Sequence, residues 1–101
     1  MIVYNITVHV ESSIETEWMK WQREEHIPEI LATGRFDNCR IFRLLDQDDT
    51  GGSTFVMQFS TSTLAQYEEY LLEFAQALND KAINRWGNRF IAFRTTMEAL
   101  N

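Results

Sequence analysis

The segment from Arg89 to Met97 reads as a β-strand, and it carries apolar side chains at both parities: Phe90 and Ala92 on one side, Ile91, Phe93 and Met97 on the other. The segment from Thr54 to Ser60 repeats the pattern, with Val56 opposed to Phe55, Met57 and Phe59. Successive side chains of a strand point to opposite faces, so a strand that is apolar on both needs cover on both. Any fold this chain adopts must therefore supply two covering layers.

Those layers have to be found by a chain of 101 residues. Pieces of half that length would be too small to enclose a core, so residues 1–101 are expected to form one domain. From Ile2 to Val10 the even positions (Ile2, Tyr4, Ile6, Val8, Val10) are all apolar while Asn5, Thr7 and His9 are polar, which predicts a strand with one apolar face. Ser12 and Glu15 have capping-box spacing, and Ile14, Trp18 and Trp21 then follow one helical stripe. Ile27, Ile30 and Leu31 centre more than about 100° away around the helix, and the change of phase coincides with Pro28. Proline lacks a donor and disfavours the α region for the residue before it. A kink or restart is thus expected between His26 and Glu29, with Gly34 closing the second piece.

Phe36 to Asp46 and Thr54 to Ser60 flank the turn formers Gln47 to Gly52 and read as a hairpin. Thr63 and Gln66 form a second capping-box pair. Leu64, Tyr67, Leu71, Phe74, Leu78 and Ala82 recur at three- and four-residue steps, which predicts a long second helix ending near Trp86-Gly87. The order is β-α-β-β-α-β. With right-handed crossovers it gives an α+β, ferredoxin-like fold: a four-stranded antiparallel sheet with both helices on one face. The other face, bearing Ile91, Phe93 and Met97, is expected to meet a second copy and so form a dimeric α/β barrel. If three such side chains each lose roughly 50 Å² per subunit at about 25 cal/mol per Å², the gain is on the order of several kcal/mol per dimer.

Composition excludes several function classes. Fifteen acidic against nine basic side chains give a net charge of -6, which repels nucleic acid. The opening stretch alternates and has no basic flank, so neither a signal peptide nor a membrane span is expected. Cys39 is the single cysteine, which fits a reduced, cytoplasmic setting, rules out an internal disulfide and favours a packing role. His9 and His26 are the only histidines and lie far apart in sequence, so no metal site is expected. Asp46, Asp48 and Asp49 suggest calcium, yet Met57 occupies the position that an EF-hand gives to its bidentate glutamate, and a turn is the better reading. No phosphate loop or nucleophile elbow is present, and no cofactor is expected.

Three stretches carry a family resemblance: Met1-Ile2-Val3-Tyr4-Asn5; Trp18-Met19-Lys20-Trp21 through Glu25-His26-Ile27-Pro28-Glu29 to Gly34; and Arg85-Trp86-Gly87-Asn88-Arg89 to Thr95. With them the chain resembles, over nearly its whole length, small bacterial proteins grouped as domain-of-unknown-function family 4286. That family is similar in outline to the dimeric α/β-barrel superfamily, in which two ferredoxin-like subunits pack their sheets together. The resemblance implies fold and dimerisation and supplies no activity, since that superfamily includes monooxygenases, haem-degrading enzymes, isomerases and plain binding proteins.

Some residues could carry chemistry. Glu25 falls about 20° from Ile14 on the helical wheel, which places a carboxylate toward the core as a candidate general base, unless a kink turns it to solvent or Arg40 or Arg94 pairs with it. His26 beside it could shuttle protons or hold a ligand; its bland role is to cap a helix end. The resemblance adds weight to His26, because histidine near the end of the first helix recurs in related barrel families. Arg94 shares the parity of Phe90 and Ala92 and could hold an anionic group, or form an ion pair. Tyr4, Trp18 and Trp21, with Tyr67 and Trp86, could line an aromatic pocket or serve as core. Two classes of function compete. The first is a protein that binds a small apolar or aromatic molecule between the first helix and the sheet, extending to a cofactor-independent, monooxygenase-like enzyme with Glu25 and His26 as its catalytic pair. It expects a concave apolar cavity of at least roughly a few hundred Å³ reaching Glu25 and His26. The second is a non-catalytic regulatory or scaffolding dimer, which expects an exposed apolar patch instead.

Overall fold

The alternating segment forms the centre of the sheet in the structure, a computed structural model that describes residues 1–48 and 50–101. Strand β1 (Ile2–Glu11) buries each of its apolar even positions. Strand β3 (Gly52–Thr61) pairs antiparallel with one side of β1, and β4 (Phe90–Glu98) with the other. Strand β2 (Asn38–Arg43) completes the order β2-β3-β1-β4 by antiparallel pairing with β3. The register sets Ile6 between Met57 and Arg94, and Val8 between Phe55 and Ala92. The expected four-stranded antiparallel sheet and α+β ferredoxin-like topology are thus present.

Strand β2 is shorter than expected because Phe36 precedes it as a buried core residue and Asp46, at φ 57°, has already entered the turn. Asp49, one of the three aspartates considered for calcium, lies outside the described residues. Asp48 accepts hydrogen bonds from the backbone and hydroxyl of Thr50, as in a turn. No metal-binding cluster occurs among the described residues. Strand β3 begins earlier than expected, at Gly52, whose φ is 149°; a Cβ here would stand 1.8 Å from the Val10 carbonyl oxygen.

The first helical segment departs from the predicted kink. Ser12 gives no side-chain cap, and Ser12–Ile14 form a 3₁₀ turn before α1 (Glu15–Trp21). Gln22–His26 then form a π turn in which the Ile27 N–H reaches the Gln22 carbonyl, and α2 (Ile27–Ala32) continues from it. Pro28 has no N–H and its ring crowds the carbonyl one turn back, so the ladder widens just before it instead of breaking. The π turn also explains the change of stripe. On a regular helix Ile30 would sit about 120° from Trp18, but one residue absorbed by a wider turn reduces this to about 20°. Trp18, Gln22, His26 and Ile30, at four-residue steps, are accordingly all buried.

The second helical region is two helices rather than one: α3 (Leu64–Glu73) and α4 (Ala75–Trp86), separated at Phe74 (φ -126°, ψ -31°). Unbroken, it would hold Trp86 about 160° around from Tyr70. The break lets both be buried, while Leu64 and Leu71 of the expected stripe are exposed. The Thr63 side chain caps α3 by accepting from the Gln66 N–H at 3.2 Å, whereas the Gln66 side chain accepts from the Thr61 and Ser62 hydroxyls. Gly87, at φ 64°, closes α4 as predicted. No helix among the described residues is long and apolar enough to cross a membrane.

All helices lie on the face of Tyr4, Ile6, Val8, Phe55, Met57 and Phe59. On the opposite face Ile91, Phe93 and Met97 are 58%, 66% and 43% exposed, so one side of β4 has no cover among the described residues.

Candidate functional site

The buried stripe of the first helical segment is not wholly apolar. Between Trp18 and Ile30 it carries Gln22 and His26, which are 3% and 6% exposed. Both face a small chamber of about 30 Å³ between the helices and the sheet. The remaining walls are mostly apolar: Ile6 and Val8 of β1, Met57 of β3, Phe90 and Ala92 of β4, and Tyr70 of α3. Its outer side lies between β4 and α4, where the exposed Arg94 donates a hydrogen bond to Asn79 Oδ1 at 3.3 Å.

Among the described residues, Gln22 Oε1 and His26 Nδ1 have no hydrogen-bond partner. A buried polar atom left unpaired costs about 1–3 kcal/mol. Burial also depresses the His26 pKa from 6.5 to about 4, with the positive charges of Lys81 and Arg94 acting in the same direction and Glu29 opposing. The imidazole is therefore neutral at pH 7. Its ring is stacked on Trp21, with centroids 4.4 Å apart and planes 16° from parallel.

The other predicted site residues separate. Glu25 is exposed: the π turn rotates it off the stripe on which wheel geometry puts it, into a shallow surface depression with Lys20, Glu24 and Arg85. It pairs with neither Arg40 nor Arg94. Trp18 lines the chamber and stacks on Phe55 at 5.5 Å. Trp21 is half-buried, stacked on His26 and edge-on to Trp86 at 5.9 Å. Tyr4 lies outside the chamber wall, within a cluster formed with Phe36, Phe59, Tyr67 and Tyr70; burial raises its pKa and the Arg94 charge offsets this in part. Cys39 is half-buried, and burial pushes its thiol up to about 12, consistent with a packing role. Sequence reasoning missed Gln22, Tyr70 and Asn79. Gln22 was within reach, since it stands midway between Trp18 and His26 at steps of four, but only a π turn keeps all three on one face.

The cavity also falls short of the several hundred Å³ expected of a substrate pocket. A larger depression, about 600 Å³, is an open groove between α1 and β2 lined by Met19, Ile41, Phe42 and Phe55 among others. None of the unpartnered buried polar atoms faces it.

Comparison with known proteins identifies the class. The four-stranded sheet with its helices on one face is shared with a dimeric ferredoxin-like protein from an uncultured marine organism (TM-score 0.69, 9% identity, 99% of this chain and 95% of that one). It is shared also with an ethyl tert-butyl ether d (EthD) family protein of Bacillus halodurans (0.66, 11%, 99% and 100%). A third similar structure is the monooxygenase ActVA-Orf6 of Streptomyces coelicolor in complex with nanaomycin D (0.60, 12%, 99% and 89%). At such identities the likeness shows the fold alone. The chain belongs to the domain-of-unknown-function family DUF4286, whose model matches residues 1–100. No curated protein matches the sequence.

Proposed function

We propose that this protein is a homodimer joined through the open face of its sheet, each subunit of which binds a small, largely apolar or aromatic molecule at the chamber between the first helical segment and the sheet. The observation that carries this reading is that Gln22 Oε1 and His26 Nδ1, two buried atoms without hydrogen-bond partners, belong to residues lining one mostly apolar chamber. Pure packing favours leucine or methionine at such positions, whereas a ligand's polar tip turns the cost of two unpaired atoms into binding energy. Because about 30 Å³ holds little more than one hydroxyl or water, the body of the ligand lies in the mouth between β4 and α4, beside Arg94. Trp18 lines the same chamber, and Trp21 stacks on the His26 ring.

Binding is favoured over general base catalysis by His26 itself. A base works best with a pKa near the working pH, and burial moves His26 away from it, down to about 4. Glu25, turned to solvent, is left out of the proposed site. The dimeric neighbour and the ligand-bound neighbour make the same architecture compatible with both parts of the reading.

A thermal-shift screen of a broad metabolite set tests it. A compound present at 100 times its Kd stabilises the fold by about 2.7 kcal/mol, which moves the midpoint by several degrees. At least one compound is expected to do so for the wild type and to lose most of its effect with His26→Ala. If nothing stabilises the wild type, the binding function is wrong.

A further inference from the structure

The donor and acceptor pattern of the chamber narrows the ligand's chemistry, given the binding reading above. We infer that the ligand is a hydroxylated apolar carboxylate, its hydroxyl seated between Gln22 and His26 and its carboxylate held at the mouth by Arg94. Gln22 Oε1 can only accept a hydrogen bond, and the neutral His26 ring can donate from Nδ1. One hydroxyl answers both, donating to the amide oxygen while accepting from the imidazole. A ketone leaves Gln22 Oε1 unpaired, and a hydrocarbon leaves both atoms unpaired. A carboxylate is disfavoured here, because burying its charge in a space of about 30 Å³ costs far more than burying a hydroxyl.

The charged end belongs at the opposite side. Among the described residues Arg94 is the only charged side chain lining the chamber, and no carboxylate shares the wall with it, although acidic residues outnumber basic ones by 15 to 9 in the chain. It donates to the neutral amide oxygen of Asn79 and also acts on the Tyr4 hydroxyl, whereas Arg35, Arg43 and Lys81 are all engaged by glutamates. A guanidinium can meet a carboxylate through two parallel, charge-assisted hydrogen bonds, and these are stronger than the single bond to Asn79 they replace. The link between Arg94 and Asn79 also ties β4 to α4 across the chamber's outer side. Its exchange for a ligand carboxylate opens the route inward. Phe90, Ala92 and Ala82 at that mouth suit an apolar or aromatic body between the two polar ends.

Three matched probes test the assignment on the full chain by calorimetry and by following the His26 and Gln22 side-chain resonances: 4-hydroxyphenylacetate, phenylacetate and 4-methylphenol. The hydroxy acid is expected to bind about tenfold or more tighter than either truncated probe, the return from one charge-assisted or one buried hydrogen-bond set. Arg94→Gln, at an exposed position that folding tolerates, should cost the hydroxy acid about tenfold and leave 4-methylphenol unchanged, with Arg94→Lys in between. Equal binding of 4-methylphenol and the hydroxy acid, indifferent to Arg94→Gln, overturns the assigned class while leaving the chamber as a binding site. Silence of all three probes at the His26 and Gln22 resonances also overturns the class, and the chamber itself is then decided by the metabolite screen.

Discussion

Acidification acts on this fold through one buried imidazole. His26 is 6% exposed, and burial holds its pKa near 4 against 6.5 for a free histidine. With the folded value below the unfolded one, the unfolded chain takes up the proton first as pH falls. The stabilising contribution of neutral His26 is therefore complete above pH 6.5 and is lost progressively as pH drops from 6.5 toward 4. Each pH unit separating the two pKa values corresponds to about 1.4 kcal/mol, so the full loss is about 3 kcal/mol, of which about 2 kcal/mol has gone by pH 5. Against a typical stability of about 5–15 kcal/mol this is a large share. Urea unfolding of wild type and His26→Gln between pH 7.5 and 4.5, at one fixed protein concentration, isolates it: ordinary carboxylates contribute alike to both proteins, and the gap between them should close or reverse by about 2 kcal/mol as pH reaches 5. Two curves that stay parallel over this range would refute the reasoning. So would an imidazole resonance of His26 that titrates near pH 6.5 in the folded protein.

Two further perturbations address the architecture. Gly52→Ala places a methyl group against the Val10 carbonyl at a backbone angle that alanine resists, and should lower stability by more than about 2 kcal/mol; an unchanged urea midpoint would show that the strand end relaxes freely. Phe93→Asp, at a position 66% exposed within one subunit, should leave the circular dichroism of the fold intact while halving the mass seen by light scattering; a wild-type mass of one chain would end the proposal of a sheet-to-sheet dimer.

The sheet was legible in the sequence because period-two patterning is local: the buried Ile2, Tyr4, Ile6, Val8 and Val10 can be read one residue at a time. The helices were legible in place but not in detail. Phe74 looks like one more apolar residue on a stripe, yet its backbone leaves the helical region, and what calls for the break is the joint burial of Tyr70 and Trp86 on a sheet that no local window contains. Pro28 marked the right neighbourhood for the change of phase, but a kink and a widened turn leave the same trace in sequence. An uninterrupted wheel puts Glu25 toward the core, whereas the π turn places it in solvent, as a kink would, and brings Gln22 inward.

The same turn ties the fold to the site. A regular helix from Trp18 to Ile30 could keep at most part of that run against the sheet, and either the tryptophan or the isoleucine would face water. The wider turn lets both pack, and the polar pair at the intervening steps is then buried by necessity. Neutrality of His26 follows from that burial, and its Nδ1 has no hydrogen-bond partner among the described residues. Leucine at both positions would remove two unpaired atoms without disturbing the stripe, which by burial alone is the more stable choice. The burial of Gln22 and His26 against that preference is what the proposed binding role accounts for.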